Sequence, residues 1–374
     1  MGSFKSSLGA KSATELGAIA IKGALGRANV LPSEVEEAIL GNVISANLGQ
    51  APARQAALRA GLPESTICTT INKVCASGLK AVMLGAQSIA LGASGIVIAG
   101  GMESMSNAPH YLPNLRSGQS YGNATLIDSI TGDGLTCGKY KIHMGECSEE
   151  LAAKLGITRA MQDEYAIQSY QRAAKAVEEG RFKAEIEPVM IESKKGNITV
   201  SEDEEFKKVD FTKVHTLKPA FVPTGTITAA NSSTLNDGAS AVVLSHLSRV
   251  GSRTPLARIL AMADAECNPK EFGIAPTLAI PKVLQQAGLT AEQIDLWEIN
   301  EAFSVVALAN VQLLKLDPAK VNVFGGAVAL GHPIGSSGCR LLVTLVHQLK
   351  KGQKGCIAIC NGGGGASAMI IEKL

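Results

Sequence analysis

The chain repeats itself, and the repeat limits what it can fold into. Leu31-Pro32-Ser33-Glu34 leads to Asn42 as Leu289-Thr290-Ala291-Glu292 leads to Asn300, and Ser77-Gly78 returns as Ser337-Gly338. In each copy an apolar helical stretch follows (79–91 and 339–349), then a short β-rich run (96–99 and 356–359), then glycines at Gly100-Gly101 and at Gly362 to Gly365. Gly238-Ala239-Ser240-Ala241-Val242-Val243-Leu244 likewise matches Gly365-Ala366-Ser367-Ala368-Met369-Ile370-Ile371. Short, continuously apolar strands that alternate with helices read as buried strands of an α/β protein. Two such halves should pack as a pair of sheets with helices between and outside them.

The copies differ in two ways. The second runs from its glycines straight into Gly365-Ala366-Ser367, whereas in the first an insertion over 102–237, richer in charge and turns, intervenes. Long insertions are usually lids or binding loops. The second copy also opens with a strand over 257–263 ahead of its helix at 276–287, while the first opens directly on its helix at 12–28. The first half is therefore expected to lack its opening strand. A buried strand is worth several kcal/mol at ~25 cal/mol per Å² of apolar area, so a chain without it is expected to be folding-impaired.

Composition excludes several functions. Net charge is +2 and charged residues are 18% against 46% hydrophobic, which gives no bulk electrostatic case for nucleic acid or a membrane surface. No apolar run approaches the ~20 residues of a spanning helix. Eight cysteines are scattered without a CxxC pair or a His/Cys cluster, which argues against a disulfide framework or a zinc site.

Chemistry enters with three segments. Val74-Cys75-Ala76-Ser77-Gly78 offers a thiol, Gly331-His332-Pro333 a base, and Cys360-Asn361-Gly362-Gly363-Gly364-Gly365 a second thiol on a glycine-rich turn. A lone cysteine is usually a small buried hydrophobe, and a thiol becomes a strong nucleophile only when something favours its thiolate. One cysteine to carry an acyl group, a histidine to activate it and a second cysteine to move a carbon-bound proton together suggest carbon–carbon bond chemistry on a thioester. The helix that starts at Ser77-Gly78 should bring its terminal amides close to Cys75 and favour the anion.

With Asn300-Glu301-Ala302-Phe303, Gly100-Gly101-Met102-Glu103-Ser104-Met105-Ser106 and Lys141-Ile142-His143-Met144-Gly145 added to these motifs, the whole chain resembles the thiolase family. Within it the resemblance is to the short-chain, potassium-binding mitochondrial group. It implies a duplicated, layered α-β-α-β-α fold with a large loop-domain insertion in the first half. The core halves would be 1–104 with 227–250, and 251–374, and the loop domain 105–226 would bind CoA and make tetramer contacts. It also implies that the absent opening strand belongs in the middle of the first sheet, before a turn at Gly2-Ser3-Phe4.

The implied activity is the reversible condensation of two acetyl-CoA to acetoacetyl-CoA and CoA through an acetyl-cysteine. Cys75 is the implied nucleophile, His332 its base, and Cys360 the group that moves the methyl proton. Asn300, through a water, and His332 would serve one oxyanion, and the amides of Cys75 and Gly362 the other. His143 and Met144 would border the acyl group. Lys208, Val209, Asp210 and Lys213 would contact the nucleotide end of CoA, Ser233 its pantetheine arm, and Tyr170 would face substrate and potassium. Main-chain oxygens of Tyr170, Ala229, Ala230, Ser232 and Val328 would hold the potassium ion. Members of this group read Phe-Pro where this chain has Phe272-Gly273, a pair that borders the acyl pocket and goes with branched substrate. No prosthetic group is implied; the partners are acyl-CoA substrates and three further subunits of a homotetramer, in the mitochondrial matrix by resemblance, with the cytoplasm left open because the N-terminus does not read as a transit peptide. Two other readings stay open: a broad-range 3-ketoacyl-CoA thiolase, and a catalytically silent subunit. Condensing enzymes of fatty-acid synthesis share the duplicated fold but usually carry two histidines where this chain has His332 and Cys360.

Overall fold

The computed structural model describes residues 1–192 and 196–374. The first sheet contains β1 (Gly2–Ser3), β2 (Glu37–Gly41), β3 (Ile67–Ile71), β4 (Ile96–Ser104) and β5 (Asn236–Ser245), in the order β1-β5-β4-β2-β3. The second contains β6 (Ala257–Glu266), β7 (Leu296–Ile299), β8 (Lys354–Asn361) and β9 (Gly365–Lys373), in the order β6-β9-β8-β7. The repeat is visible in the pairing. β4 runs antiparallel to β5 and parallel to β2, and β8 runs antiparallel to β9 and parallel to β7.

Helices α1 (Ala13–Ala28) and α2 (Pro52–Ala60) close one core on the outer face of the first sheet, where Ile21, Leu25, Ala53 and Ala57 meet Leu40 and Ile98. Ser12 caps α1 with Glu15 in a reciprocal capping box, which satisfies two donors at the helix start. Helix α6 (Pro276–Ala287) covers the second sheet in the same manner. Between the sheets lie α3 (Ser77–Ala90) and α9 (Ser337–Gln348), in a core shared by Leu79, Val82, Leu341 and Leu345 with Ala99, Ile357 and Met369. The layered α-β-α-β-α arrangement is thus the observed one.

The Ser-Gly pairs that betrayed the repeat have a physical reason. A Cβ on Gly78 would lie 2.8 Å from the Cys339 nitrogen, and one on Gly338 would lie 2.5 Å from the Leu79 nitrogen. Equivalent glycines thus let the two central helices touch backbone to backbone. Gly100 and Gly101 do not close their strand: β4 runs through them to Ser104, because a Cβ at either would collide with the carbonyl oxygen of Ser240 or Gly335, 2.1 and 2.0 Å away.

The expected position of the opening strand needs correction. In the second half that strand, β6, is the edge strand, and it pairs with β9 from Ala257↔Lys373 to Glu266↔Gly365. The corresponding position in the first half is therefore the edge beside β5 and not the middle of the sheet. Among the described residues it holds β1, with Gly2 opposite Asp237 and Ser3 opposite Asn236.

The insertion carries α4 (Met144–Leu155), α5 (Arg159–Glu178) and two small hairpins, His110–Tyr111 with Ile127–Asp128 and Val189–Ile191 with Ile198–Val200. The remaining helices, α7 (Ser304–Leu314) and the short α8 (Ala327–Leu330), lead from the second sheet toward His332.

Candidate active site

Because α3 and α9 meet at their N-terminal ends, the turns that precede them converge. Cys75 sits in the turn before α3. Ser77 Oγ accepts from the Lys73 amide (2.8 Å) and donates to the Val74 carbonyl (2.6 Å), while Asn72 Oδ1 accepts from the Val74 amide (2.8 Å). Val74 is held at φ 46°, a left-handed conformation that is costly for a β-branched residue and typical of functional turns.

His332 sits in the turn before α9. Gly331 has φ 98°, and a Cβ there would meet the Asn236 side chain 2.4 Å away. Asn236 Oδ1 accepts from the His332 amide (2.9 Å), and Ser337 Oγ lies 2.6 Å from Nδ1. The Ser337 hydroxyl donates to the Pro333 carbonyl (3.0 Å), so its oxygen is left to accept from Nδ1–H. That network assigns the proton to Nδ1 and leaves the Nε2 lone pair free, with the Asn300 Nδ2 donor 3.4 Å away. Burial, then the Arg340 guanidinium, lowers the imidazole to about 3, so the ring is neutral and able to accept a proton.

Cys360, on β8, is 1% exposed, and its thiol is held well above the usual range by burial and by the neighbouring Cys75. Burial also pushes Cys75 up to about 11, against the amides of Gly362 and of Cys75 itself, which pull it down. The amides that favour the anion are those of Gly362 and Cys75 rather than the expected ones at the start of α3. Burial outweighs them, and the resting group is a thiol. At Gly362 a Cβ would find Val74 Cγ1 at 3.4 Å and Met144 Sδ at 3.6 Å, so the glycine leaves room beside both residues.

The structure brings Met144, Phe272, Phe303 and Cys360 into one apolar cluster. Met144 opens α4, and His143 caps that helix by accepting from the Gly145 amide (3.0 Å) while stacking on Phe221 at 4.9 Å. Burial lowers the His143 imidazole. Gly273 has a packing reason, since a Cβ there would lie 2.7 Å from Leu151 and 3.2 Å from Val306. Asn300 is buried at the end of β7 and its amide donates to the Ala358 carbonyl (3.0 Å), but its Oδ1 finds no hydrogen-bond partner among the described residues.

Ser233 is tied to the Ala302 carbonyl by its hydroxyl (2.8 Å) and amide (3.1 Å). Tyr170 and Val328 share a cluster in which Val209 is half-buried, and burial raises the Tyr170 phenol. Ala230 and Ser232 are buried and Ala229 is exposed, on a loop whose Ser232 bridges to Phe303. Lys208 and Lys213 are exposed and ion-paired, with Glu205 at 3.6 Å and Asp210 at 3.0 Å. Among the described residues no cluster of His, Cys, Asp and Glu could hold a metal, and no helix is long and apolar enough to cross a membrane.

Residues without an expected role also build the site. Glu103, buried on β4, accepts from the amides of Val43 (3.0 Å), Ile44 (3.2 Å) and Gly335 (3.0 Å). It thereby ties the end of the first half to the turn after His332; burial raises its carboxyl to about 7. Glu301 accepts from Tyr165 (2.9 Å), Ser169 (2.8 Å) and the Val328 amide (3.1 Å). The available signal was a carboxylate inside an apolar run, Gly101-Met102-Glu103 and Ile299-Asn300-Glu301, because buried charge needs partners.

A fold of two repeated halves, with a cysteine from each half and a histidine at their junction, defines the class: the chain belongs to the thiolase family. Residues 1–248 match the family described as Thiolase, N-terminal domain, and residues 253–373 the one described as Thiolase, C-terminal domain. The chain is 56% identical to the mitochondrial acetyl-CoA acetyltransferase of Bos taurus, over 100% of this chain and 89% of that protein. It is 54% identical to a cytosolic acetyl-CoA acetyltransferase of Gibberella zeae, over 100% of this chain and 96% of that one. The crystal structure of Acat5 thiolase from Ascaris suum, in complex with coenzyme A, superposes with a TM-score of 0.96 at 48% identity, covering 100% of this chain and 97% of that chain.

Proposed function

We propose that Cys75, His332 and Cys360 carry the reaction of an acetyl-CoA acetyltransferase in this chain, joining two acetyl-CoA into acetoacetyl-CoA and free CoA and running the reverse thiolysis. The activity is that of the full-length relatives. The observation that carries the residue assignment is the meeting of two thiols from opposite halves, with a neutral imidazole of locked tautomer on the turn before α9, whose first residues touch those of α3.

His332 Nε2 takes the Cys75 proton, the sulfur adds to the thioester carbonyl, and CoA departs as its thiol with the proton of Cys360, which is left as a thiolate. That thiolate then takes a proton from the methyl group of a second acetyl-CoA. The resulting enolate carbon attacks the acetyl carbon on Cys75, the Cys75–carbonyl bond breaks, and His332 returns its proton to the Cys75 sulfur. A thiol as hard to ionise as Cys360 forms a strongly basic thiolate, which suits removal of a carbon-bound proton; in thiolysis it returns that proton to the departing enolate. The Cys75 and Gly362 amides serve one oxyanion at ~3–4 kcal/mol per donor. Asn300 and His332 serve the other, and the unpaired Asn300 Oδ1 supports a water held there.

The cluster of Met144, Phe272 and Phe303 around Cys360 favours a short acyl group over the broad-range reading, with His143 behind Met144. CoA phosphates are taken by Lys208 and Lys213 with Val209 and Asp210, and the pantetheine arm by Ser233. Exposed ion pairs are worth little, so a phosphate can replace the carboxylates that pair with these lysines now. Main-chain oxygens of Tyr170, Ala229, Ala230, Ser232 and Val328 would hold potassium, since carbonyl oxygen suits a hard cation; bound there, the ion would brace the insertion against the second half. Assembly as a homotetramer completes the reading, as does placement in the mitochondrial matrix, which mitochondrial relatives support.

The test is peptide mass spectrometry after rapid acid quench with acetyl-CoA. Acetyl on Cys75 is expected in the unaltered chain and in Cys360→Ala, which should fail to condense by ~10²–10⁴-fold, while Cys75→Ala should do neither. Equal acylation defects in the two variants would contradict the division of labour.

A further inference from the structure

The duplication gives each catalytic group a counterpart in the other copy. Asn42 corresponds to Asn300; each directly follows a strand, β2 or β7, and each leaves its Oδ1 without a hydrogen-bond partner among the described residues. Cys75 stands two places before Ser77, and Gly335 two places before Ser337, so Gly335 holds the place of Cys75. By the same alignment Asn72 holds the place of His332.

In the proposed reaction the Cys75 amide and Asn300 face oxyanions. Their counterparts already face an anion. The Gly335 amide donates to Glu103 Oε2 (3.0 Å), and Asn42 Nδ2 donates to Glu103 Oε1 (2.9 Å). The Val43 amide on Oε2 (3.0 Å) and the Ile44 amide on Oε1 (3.2 Å) complete the set. All four donors are uncharged N–H groups, and the carboxylate between them is fully buried. A concave set of amides of this kind is a protein's means of holding an anion out of water. A Cβ on Gly335 would lie 2.7 Å from Oε2, so a side chain in the place of Cys75 could not stand beside this carboxylate.

We propose that Glu103 is a built-in anion that fills the repeat counterpart of the catalytic oxyanion hole, and that by filling it Glu103 acts as the positioning residue for both catalytic turns. This rests on the roles of Cys75, Asn300 and His332 in the proposed reaction. Oε2 joins the two turns. On one side it holds Gly335, in the turn that carries His332. On the other it holds the Val43 amide; the Val43 carbonyl accepts from Asn72 Nδ2 (3.3 Å), and Asn72 Oδ1 accepts from the amide of Val74, next to Cys75 (2.8 Å). One copy of the repeated turn thus keeps the base, and the other keeps a bracket for the nucleophile. Charge matters here as well as shape. A glutamine of the same size would turn an NH₂ group toward partners that only donate.

The test uses Glu103→Ala and Glu103→Gln in the full chain, with sodium formate compared to sodium chloride at equal ionic strength. The assay sits at about pH 8, above the value of about 7 to which burial raises this carboxyl. The readouts are the thermal melting midpoint, acetylation of Cys75 after rapid quench, and kcat and KM for acetoacetyl-CoA thiolysis. Glu103→Ala should lose at least about ten-fold in kcat, with KM within about two-fold. Formate, which matches the removed carboxylate, should recover most of that loss and raise the melting midpoint of Glu103→Ala. It should do neither for the unaltered chain. Glu103→Gln should stay slow in both salts, because its amide occupies the hole. Ordinary kcat in either variant overturns the proposal. So does a Glu103→Ala protein that is slow but indifferent to formate, or one that folds in neither salt. Equal recovery by ethanol overturns it in favour of simple filling of space. Absence of acetyl on Cys75 in the unaltered chain would instead sink the functional reading, and the formate-dependent melting shift would still decide whether the hole binds an anion.

Discussion

At the scale of single residues the site is governed by desolvation. His332 is almost fully buried and, among the described residues, its ring has no carboxylate partner; its hydrogen-bond contacts are the Ser337 hydroxyl and the Asn300 amide. Its folded value of about 3 lies below the ordinary value of 6.5. The unfolded chain therefore binds the extra proton first, and the stability that the neutral ring contributes is intact above pH 6.5 and is lost as pH falls toward 3. At 1.36 kcal/mol per unit the loss is about 2 kcal/mol by pH 5. Urea midpoints between pH 7 and 5 should fall more steeply for the unaltered chain than for His332→Asn. Parallel curves would show that another group sets the acid limb. The histidine and both cysteines stood out as motifs because each is a reactive side chain in a glycine-rich or small-residue setting, while Asn300 was singled out through the family resemblance. Ser337 and Glu103 were not, because their roles depend on partners far away in sequence: Glu103 holds Val43 and Gly335.

Among the elements, α3 and α9 do most to place the chemistry. Their contact depends on Gly78 and Gly338, each with no space for a methyl group against the other helix's backbone. Gly338→Ala should cost ~1–3 kcal/mol, the usual penalty of overpacking, read as a lowered urea midpoint. Activity should fall alongside, since Cys75 and His332 lie on the turns that these helices begin. An unchanged midpoint would mean that the helices can separate freely. Periodicity found these helices and the strands between them, but misjudged β4, which continues through glycines that looked like a stop. It also could not say which strands lie at the sheet edges, because strand order is a property of pairing and leaves no local mark. The strand expected mid-sheet is an edge strand in the half that has it, with β9 between it and β8.

For the whole molecule, the insertion and the second half meet where potassium is proposed. Tyr170 comes from α5, Val328 from α8, and Ala229, Ala230 and Ser232 from the loop that returns to β5. Replacing sodium by potassium at fixed ionic strength should raise the rate of acetoacetyl-CoA thiolysis. Identical rates in the two salts would remove the ion from the mechanism. The duplication was plain in the sequence and so was the insertion. The way the halves share one centre was not, because nothing in either copy alone shows that its turn faces the other's. The adjacency of Cys75 and Cys360 has a genetic consequence. A duplicated gene segment often leaves a spare, but in the proposed reaction neither copy can stand in for the other, since one holds the acyl group and the other moves the proton. Subunits inactivated at Cys75 and subunits inactivated at Cys360 would not complement when mixed, because each would carry a whole but spoiled centre.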